Sequence, residues 1–123
     1  MGQDLTERDR TTDLGVVRIN NDAITTIASI AAMEVKGVYK MGGGIGRTLY
    51  EMLLKRPASK GVKIQMANGE IKLRVSVIVD YGVDIPRIAD EVQDSVKRSV
   101  EKMAGLVLSG VDVVVENVHM HKS

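Results

Sequence analysis

The chain has no cysteine, no phenylalanine and no tryptophan, and only three tyrosines. Without cysteine there can be no disulfide, no thiolate metal site and no thiol nucleophile, a pattern that fits a reducing cytoplasm. Without large aromatics the core must be aliphatic, and the stacking platforms of single-strand nucleic-acid binders are nearly absent. The two histidines, His119 and His121, both lie at the C-terminal end. No Ser/His/Asp or Cys/His arrangement can therefore be assembled inside a folded domain, and the chain is predicted not to be an enzyme. His119 and His121 would share one face of a continuing strand, but no third ligand lies nearby, so neither a metal nor any other cofactor is predicted. No apolar run approaches the length of a membrane span and the N-terminus carries no signal-peptide core, so no direct membrane insertion is expected and the protein is read as soluble. The formal net charge is only +1, so attraction to nucleic acid or to a membrane would have to come from local clustering.

What is present is enough for one core. Of 123 residues, 44% are hydrophobic and 27% are charged, which suits a single domain. Residues 1–13 carry only Met1 and Leu5 as apolar side chains and read as a mobile tail. Met1, Gly2 and Thr6 match the loose N-myristoylation pattern, but a single acyl chain anchors marginally and the plain tail is the better reading. The domain itself spans 14–118, and 119–123 read as a frayed C-terminal tail.

The organising stretch is a strand, a long helix and a second strand over 75–118. Ile85, Ile88, Ala89, Val92, Val96, Val100 and Met103 recur in steps of three and four, which is the single stripe of an amphipathic helix. Asp84 is placed to cap it, Pro86 is tolerated in its first turn, and Gly105 ends it. Its other face carries mixed charges, including an Asp94 to Arg98 pair, and reads as an ordinary solvated face. Before it, Asn68-Gly69 joins two alternating runs and predicts a two-residue hairpin. That turn pairs Met66 with Ile71, Ile64 with Leu73 and Val62 with Val75, sending the apolar partners to one face, continued by Val77, Val79 and Tyr81. Residues 15–19 suit a short strand, followed by a helix that Asn20 or Asn21 can cap, with Ile24, Ile27, Ala28, Ala31 and Val35 as its stripe and Gly37 as its end. Ala28, Ala31 and Ala32 would let this helix lie close beside the long one. The last strand covers 107–118, with Val111, Val113 and Val115 on one side. The predicted fold is α+β, a two-layer sandwich of about four strands in one sheet with two main helices packed on one face.

Chemical motifs are sparse. Gly42, Gly43, Gly44 and Gly46 lack the spacing and the lysine of a Walker loop, since Met41 stands at the required first glycine and Arg47 replaces the lysine. Gly43, Gly44, Ile45, Gly46 and Arg47 resemble the GxxG loop with which KH domains clamp RNA, so a KH-like RNA-binding module is the alternative function. A short helix over 48–56 would follow, stopped by Pro57, with Lys55, Arg56 and Lys60 as a solvated basic cluster. Asp80 and Asp84 do not make a catalytic pair, because Asp84 is the better helix cap. A candidate partner-binding surface lies on the sheet face that the helices leave bare. Strict alternation sends Ile78, Val114 and Val118 there as an apolar patch, between Lys72 and Arg74 on one side and Asp112 and Glu116 on the other.

The segments GVVRIN from Gly15, VKGV from Val35, KGVKI from Lys60, VSVIVDYGVDI from Val75, VQDSVKRSVEKMAGL from Val92 and VDVVVENV from Val111 together resemble the bacterial alkaline shock protein family, the envelope stress response proteins. The likeness covers 14–118; Asn20 stands where a serine cap is expected, and the glycine-rich loop is outside the pattern. The resemblance implies a cytoplasmic, non-enzymatic protein of Gram-positive-type bacteria, linked to alkaline or envelope stress, acting through protein-protein contacts and with no catalytic residues to carry over. It implies as partners a small membrane-anchored protein, through which the chain would be membrane-associated, or further copies of itself as a homo-oligomer; nucleic acid is not the expected partner, on the separate ground that stacking aromatics are nearly absent.

Overall fold

The computed structural model describes residues 9–43 and 61–120. The order of elements is β1 (Asp9–Thr12), β2 (Gly15–Arg18), α1 (Asn21–Met33), β3 (Val38–Met41), β4 (Val62–Ala67), β5 (Glu70–Asp80), α2 (Ile85–Ala104) and β6 (Gly110–His119).

Local chemistry sets the centre of this fold. Asn68 (φ 55°) and Gly69 (φ 78°) both take left-handed backbone, as a two-residue turn of primed type requires. The register that follows is the one the sequence predicts: Met66 faces Ile71, Ile64 faces Leu73 and Val62 faces Val75. Along β5, Ile71, Leu73, Val75, Val77 and Val79 are buried while Lys72 and Arg74 are exposed, the alternation of a strand with one covered face. Tyr81, expected to continue the inner face, lies beyond the strand and is exposed.

β5 is the middle of a four-stranded sheet. One edge is paired in parallel with β6 along almost its full length. The other edge is shared end to end by two antiparallel partners, β4 against its first half and β3 against its second. At their junction the Ser76 N–H donates to the Gly61 carbonyl (2.7 Å) and the Ser76 carbonyl accepts from the Gly42 N–H (2.8 Å), so the ladder continues without a break. Gly61 (φ 73°) is required there, because a Cβ would meet Met41 Cβ and the Ser76 carbonyl at 3.1 Å each.

The helices cover one face. Asp84 caps α2 by accepting from the Arg87 N–H (3.3 Å), Pro86 stands in the first turn, and Gly105 (φ 69°) closes the end in the left-handed conformation. The buried stripe is Ile88, Val92, Val96, Val100 and Ala104. Ile85 and Met103 are exposed, contrary to the predicted stripe, because a row of fourth residues slants across the helix axis and meets the core at Ala104 instead. α1 lies beside α2 with Ala28, Ala31 and Ala32 buried, and Ser95 Oγ donates to the Ala31 carbonyl (2.9 Å) across the close contact that these small residues permit. Asn20 occupies the N-cap with extended backbone but makes no side-chain capping bond. The helix stops at Met33, before Gly37; that glycine (φ 108°) is instead a point of close approach, where a Cβ would fall 2.7 Å from Ile88 Cδ1.

The predicted two-layer α+β arrangement is present, and three boundaries differ. Asp9–Thr12, read as tail, is a strand paired with β2 in a separate two-stranded sheet, so β2 is not part of the main sheet. β3, which the sequence reading did not assign, takes the fourth place. β6 begins at Gly110 rather than at 107, because Leu106 and Leu108 are buried in the connection and Ser109 bonds to the Ile71 carbonyl (2.8 Å from N, 3.1 Å from Oγ). The helix expected over 48–56 lies outside the described residues.

Candidate interaction surface

The sheet face opposite the helices is built from the even-numbered residues of β5: Lys72, Arg74, Ser76, Ile78 and Asp80. Their neighbours across the ladders are fixed by register. Lys72 lies between Gln65 and Gly110, Arg74 between Lys63 and Asp112, and Ile78 between Lys40 and Asn117, while Ser76 is level with Val114. The predicted Lys72, Arg74, Ile78, Asp112 and Val114 are thus brought together on one surface. Ile78 is half-buried and Val114 is 39% exposed, so the apolar centre is modest and accessible.

Two residues depart from strict alternation for a definite reason. The β5–β6 ladder pairs Val77 with Val115 and then Ile78 with Asn117, leaving Glu116 as an extra residue. This bulge inverts the facing of everything after it: Val118 comes level with Val79 on the helix-bearing side, and Asn117 and His119 take the outer face. Val118 therefore does not join Ile78 and Val114. Glu116 remains over the outer face, where its Oε1 accepts from the Gly43 N–H (2.9 Å) and would lie 2.5 Å from a Cβ at Gly42. That carboxylate reaches across β5 to the point where the chain leaves β3.

A second bulge, at Tyr39 between the Val38–Val79 and Lys40–Ile78 pairs, places an aromatic pair beyond Ile78. The Tyr39 and His119 rings stack with centroids 3.7 Å apart and planes 9° from parallel, and Lys40 Nζ lies 5.9 Å from the Tyr39 centroid. His119, expected in a frayed end, is the last residue of β6 and its carbonyl accepts from the Tyr81 N–H (2.9 Å). The outer face therefore runs from a cationic end at Lys63, Lys72 and Arg74 to an aromatic end at Tyr39 and His119. Sequence reasoning missed Tyr39, Lys40, Asn117 and His119; the alternating VYKM of β3 was the available signal for the first two, whereas a bulge leaves none.

The other chemical candidates resolve simply. Among the described residues no group of three His, Cys, Asp or Glu could hold a metal ion. Asp84 caps a helix and Asp80 lies on the outer face, so they do not form a carboxylate pair. Of the RNA-clamping candidates only Gly43 is described, with φ 83°; Gly44, Ile45, Gly46 and Arg47 lie outside the described residues. Among the described residues no helix is long and apolar enough to cross a membrane.

Comparison with known proteins gives a consistent picture. The uncharacterized protein YqhY of Bacillus subtilis is 35% identical over 102 residues, covering 83% of this chain and 76% of that protein. YloU of the same organism, also uncharacterized, is 32% identical over 111 residues, covering 89% of this chain and 92% of that one. A stress response regulator gls24 homolog of Streptococcus pyogenes is 23% identical over 115 residues, covering 92% of this chain and 64% of that protein. The model of the alkaline shock protein 23 family matches residues 9–120, from β1 to the end of β6, and this chain belongs to that family, whose function is described as cell envelope-related.

Proposed function

We propose that this protein is a non-enzymatic interaction protein of the envelope stress response, working through protein-protein contacts made by the outer face of its sheet. The observation that carries this reading is the composition of that face. Ile78 and Val114 form a small accessible apolar centre, Lys72 and Arg74 lie to one side, and Asp112 and Glu116 lie among them, an apolar centre with a charged rim of both signs. A nucleic-acid surface would be dominated by one sign of charge. The family description supports the link to the envelope, and the name of the gls24 homolog supports the link to stress. The partner suited to this face is a protein presenting apolar side chains and mixed charge, held at the membrane, so that the chain is recruited to the envelope through that partner.

The test is the pair of substitutions Ile78→Lys and Val114→Lys made together. Both sites are on the outer face, so the helical signal and the thermal midpoint should stay near their original values. Association with the membrane fraction of the native host should be lost. A double variant that still sediments with membranes would sink this reading, and so would RNA binding at low salt that disappears when Gly44 and Ile45 are changed to Asp.

A further inference from the structure

The residue pair that sets the register of the β4–β5 hairpin is also the one Asn-Gly step in the chain. Four asparagines occur in the chain, Asn20, Asn21, Asn68 and Asn117, and only Asn68 is followed by glycine. Asn68 and Gly69 lie at the exposed tip of the β4–β5 hairpin. The Asn68 side chain makes no hydrogen bond with any other described residue, and nothing lies within 4 Å of the Cβ position at Gly69. The other sites are more restrained. Asn117 Oδ1 accepts from the Val118 N–H (2.8 Å) inside the β6 bulge, and Asn21 is in the first turn of α1 with interactions of its own. Asn20, though its side chain makes no capping bond, is followed by Asn21 rather than glycine and has its backbone carbonyl tied to the Ala23 and Ile24 N–H groups (3.0 and 3.3 Å).

We propose that Asn68 is a site of spontaneous, hydroxide-promoted deamidation in the folded protein. Hydroxide removes the proton from the Gly69 backbone nitrogen, which bonds to the side-chain carbonyl carbon of Asn68. The carbon-nitrogen bond of the side-chain amide then breaks, and that nitrogen takes up a proton and leaves as ammonia. Water opens the resulting cyclic imide at either carbonyl, giving aspartate or an isoaspartate whose main chain runs through the former side-chain carbon. No electrons are exchanged and the only co-reactants are hydroxide and water. Glycine at the following position matters because it has no Cβ to block the approach, and the geometry needs only a local opening of the Ala67–Glu70 closing pair, which is exposed throughout.

The two products act differently on the fold. Asp-Gly also suits a primed two-residue turn, so aspartate keeps the β4–β5 register and adds a negative charge beside Glu70. Isoaspartate adds a backbone atom to a turn whose length fixes the register, and so loosens the end of the sheet that carries Lys63, Lys72 and Arg74. This chemistry stands whether or not the outer face is an interaction surface.

The full chain, held folded in mildly alkaline buffer and sampled over days, is read by peptide mass spectrometry, with isoaspartyl methyltransferase to count isoaspartate. The amide at Asn68 should be lost while Asn20, Asn21 and Asn117 remain amides, and the loss should quicken as hydroxide rises. The isoaspartate fraction should melt below the starting protein and the Asn68→Asp variant close to it, whereas Asn68→Gly, which keeps a turn-competent pair, should show no conversion. Persistence of the Asn68 amide in the folded chain after the urea-unfolded chain has converted would overturn the proposal, as would earlier conversion at any other asparagine.

Discussion

Glu101 ties the end of α2 to the connection that leads into β6 with a single carboxylate oxygen, which accepts from Lys97 Nζ (2.6 Å) and from the Leu108 N–H (2.8 Å). The Lys97 bond first, and the Leu108 bond second, hold its carboxyl below the usual value of 4.5 against the opposing effect of partial burial. A depressed carboxylate contributes stability that is present above its unfolded value and is lost as pH falls through the lower folded value. Glu101→Gln should therefore lower the thermal midpoint at neutral pH, and the gap to the unsubstituted protein should close on acidification below 4.5. A gap that stays constant into strong acid would contradict this role. The sequence placed Glu101 on a solvated helix face, which is correct as far as the helix goes. Its second bond depends on where the connection to β6 folds back, and no periodicity carries that information.

At the scale of elements, α2 and the β4–β5 hairpin were legible because each is specified twice, by a repeat and by its ends. The stripe of α2 agrees with Asp84 and Gly105, and the hairpin pattern agrees with Asn68-Gly69. Val92 sits in the middle of that stripe with no exposure. Val92→Asp would bury an unpaired charge and should cost more than about 4 kcal/mol, enough to abolish the cooperative thermal transition. A variant that still melts cooperatively near the original midpoint would show that α2 is not the principal apolar element. β3 was not legible because it has only four residues, two of them exposed, and is a strand only because β4 leaves half an edge of β5 free. β1 was missed for a similar reason, since its strand character comes from pairing with β2 and from the Thr12 hydroxyl, which donates to the Gly15 carbonyl and accepts from the Leu14 N–H (3.1 Å each).

For the molecule as a whole, stability should be graded outward from β5. Its amides are laddered on both edges and its inner side chains are covered by helices, whereas β1 and β2 form an isolated pair with Val16 and Val17 half exposed. Native-state hydrogen exchange should accordingly be slowest at Leu73, Val75, Val77 and Val79 and fastest at β1 and β2. Equal protection in the two sheets would mean that the N-terminal hairpin is bound more firmly than its contacts suggest.

The sequence by itself determined the fold class, the long helix with its caps, the hairpin register and the aliphatic core, because each follows from spacing and turn chemistry within a short stretch of chain. It also placed Lys72, Arg74, Ile78, Asp112 and Val114 on one face, since alternation holds as long as a strand is regular. The tertiary structure decided which strands fill the four places in the sheet, and where alternation breaks. The bulges at Tyr39 and Glu116 exist only in relation to β5, the one strand both partners must match. They turn Val118 away from the outer face and bring Tyr39 and His119 onto it. Pairing between distant strands is settled by the shared geometry of a ladder, and a single inserted residue changes that geometry without leaving a mark on the local pattern.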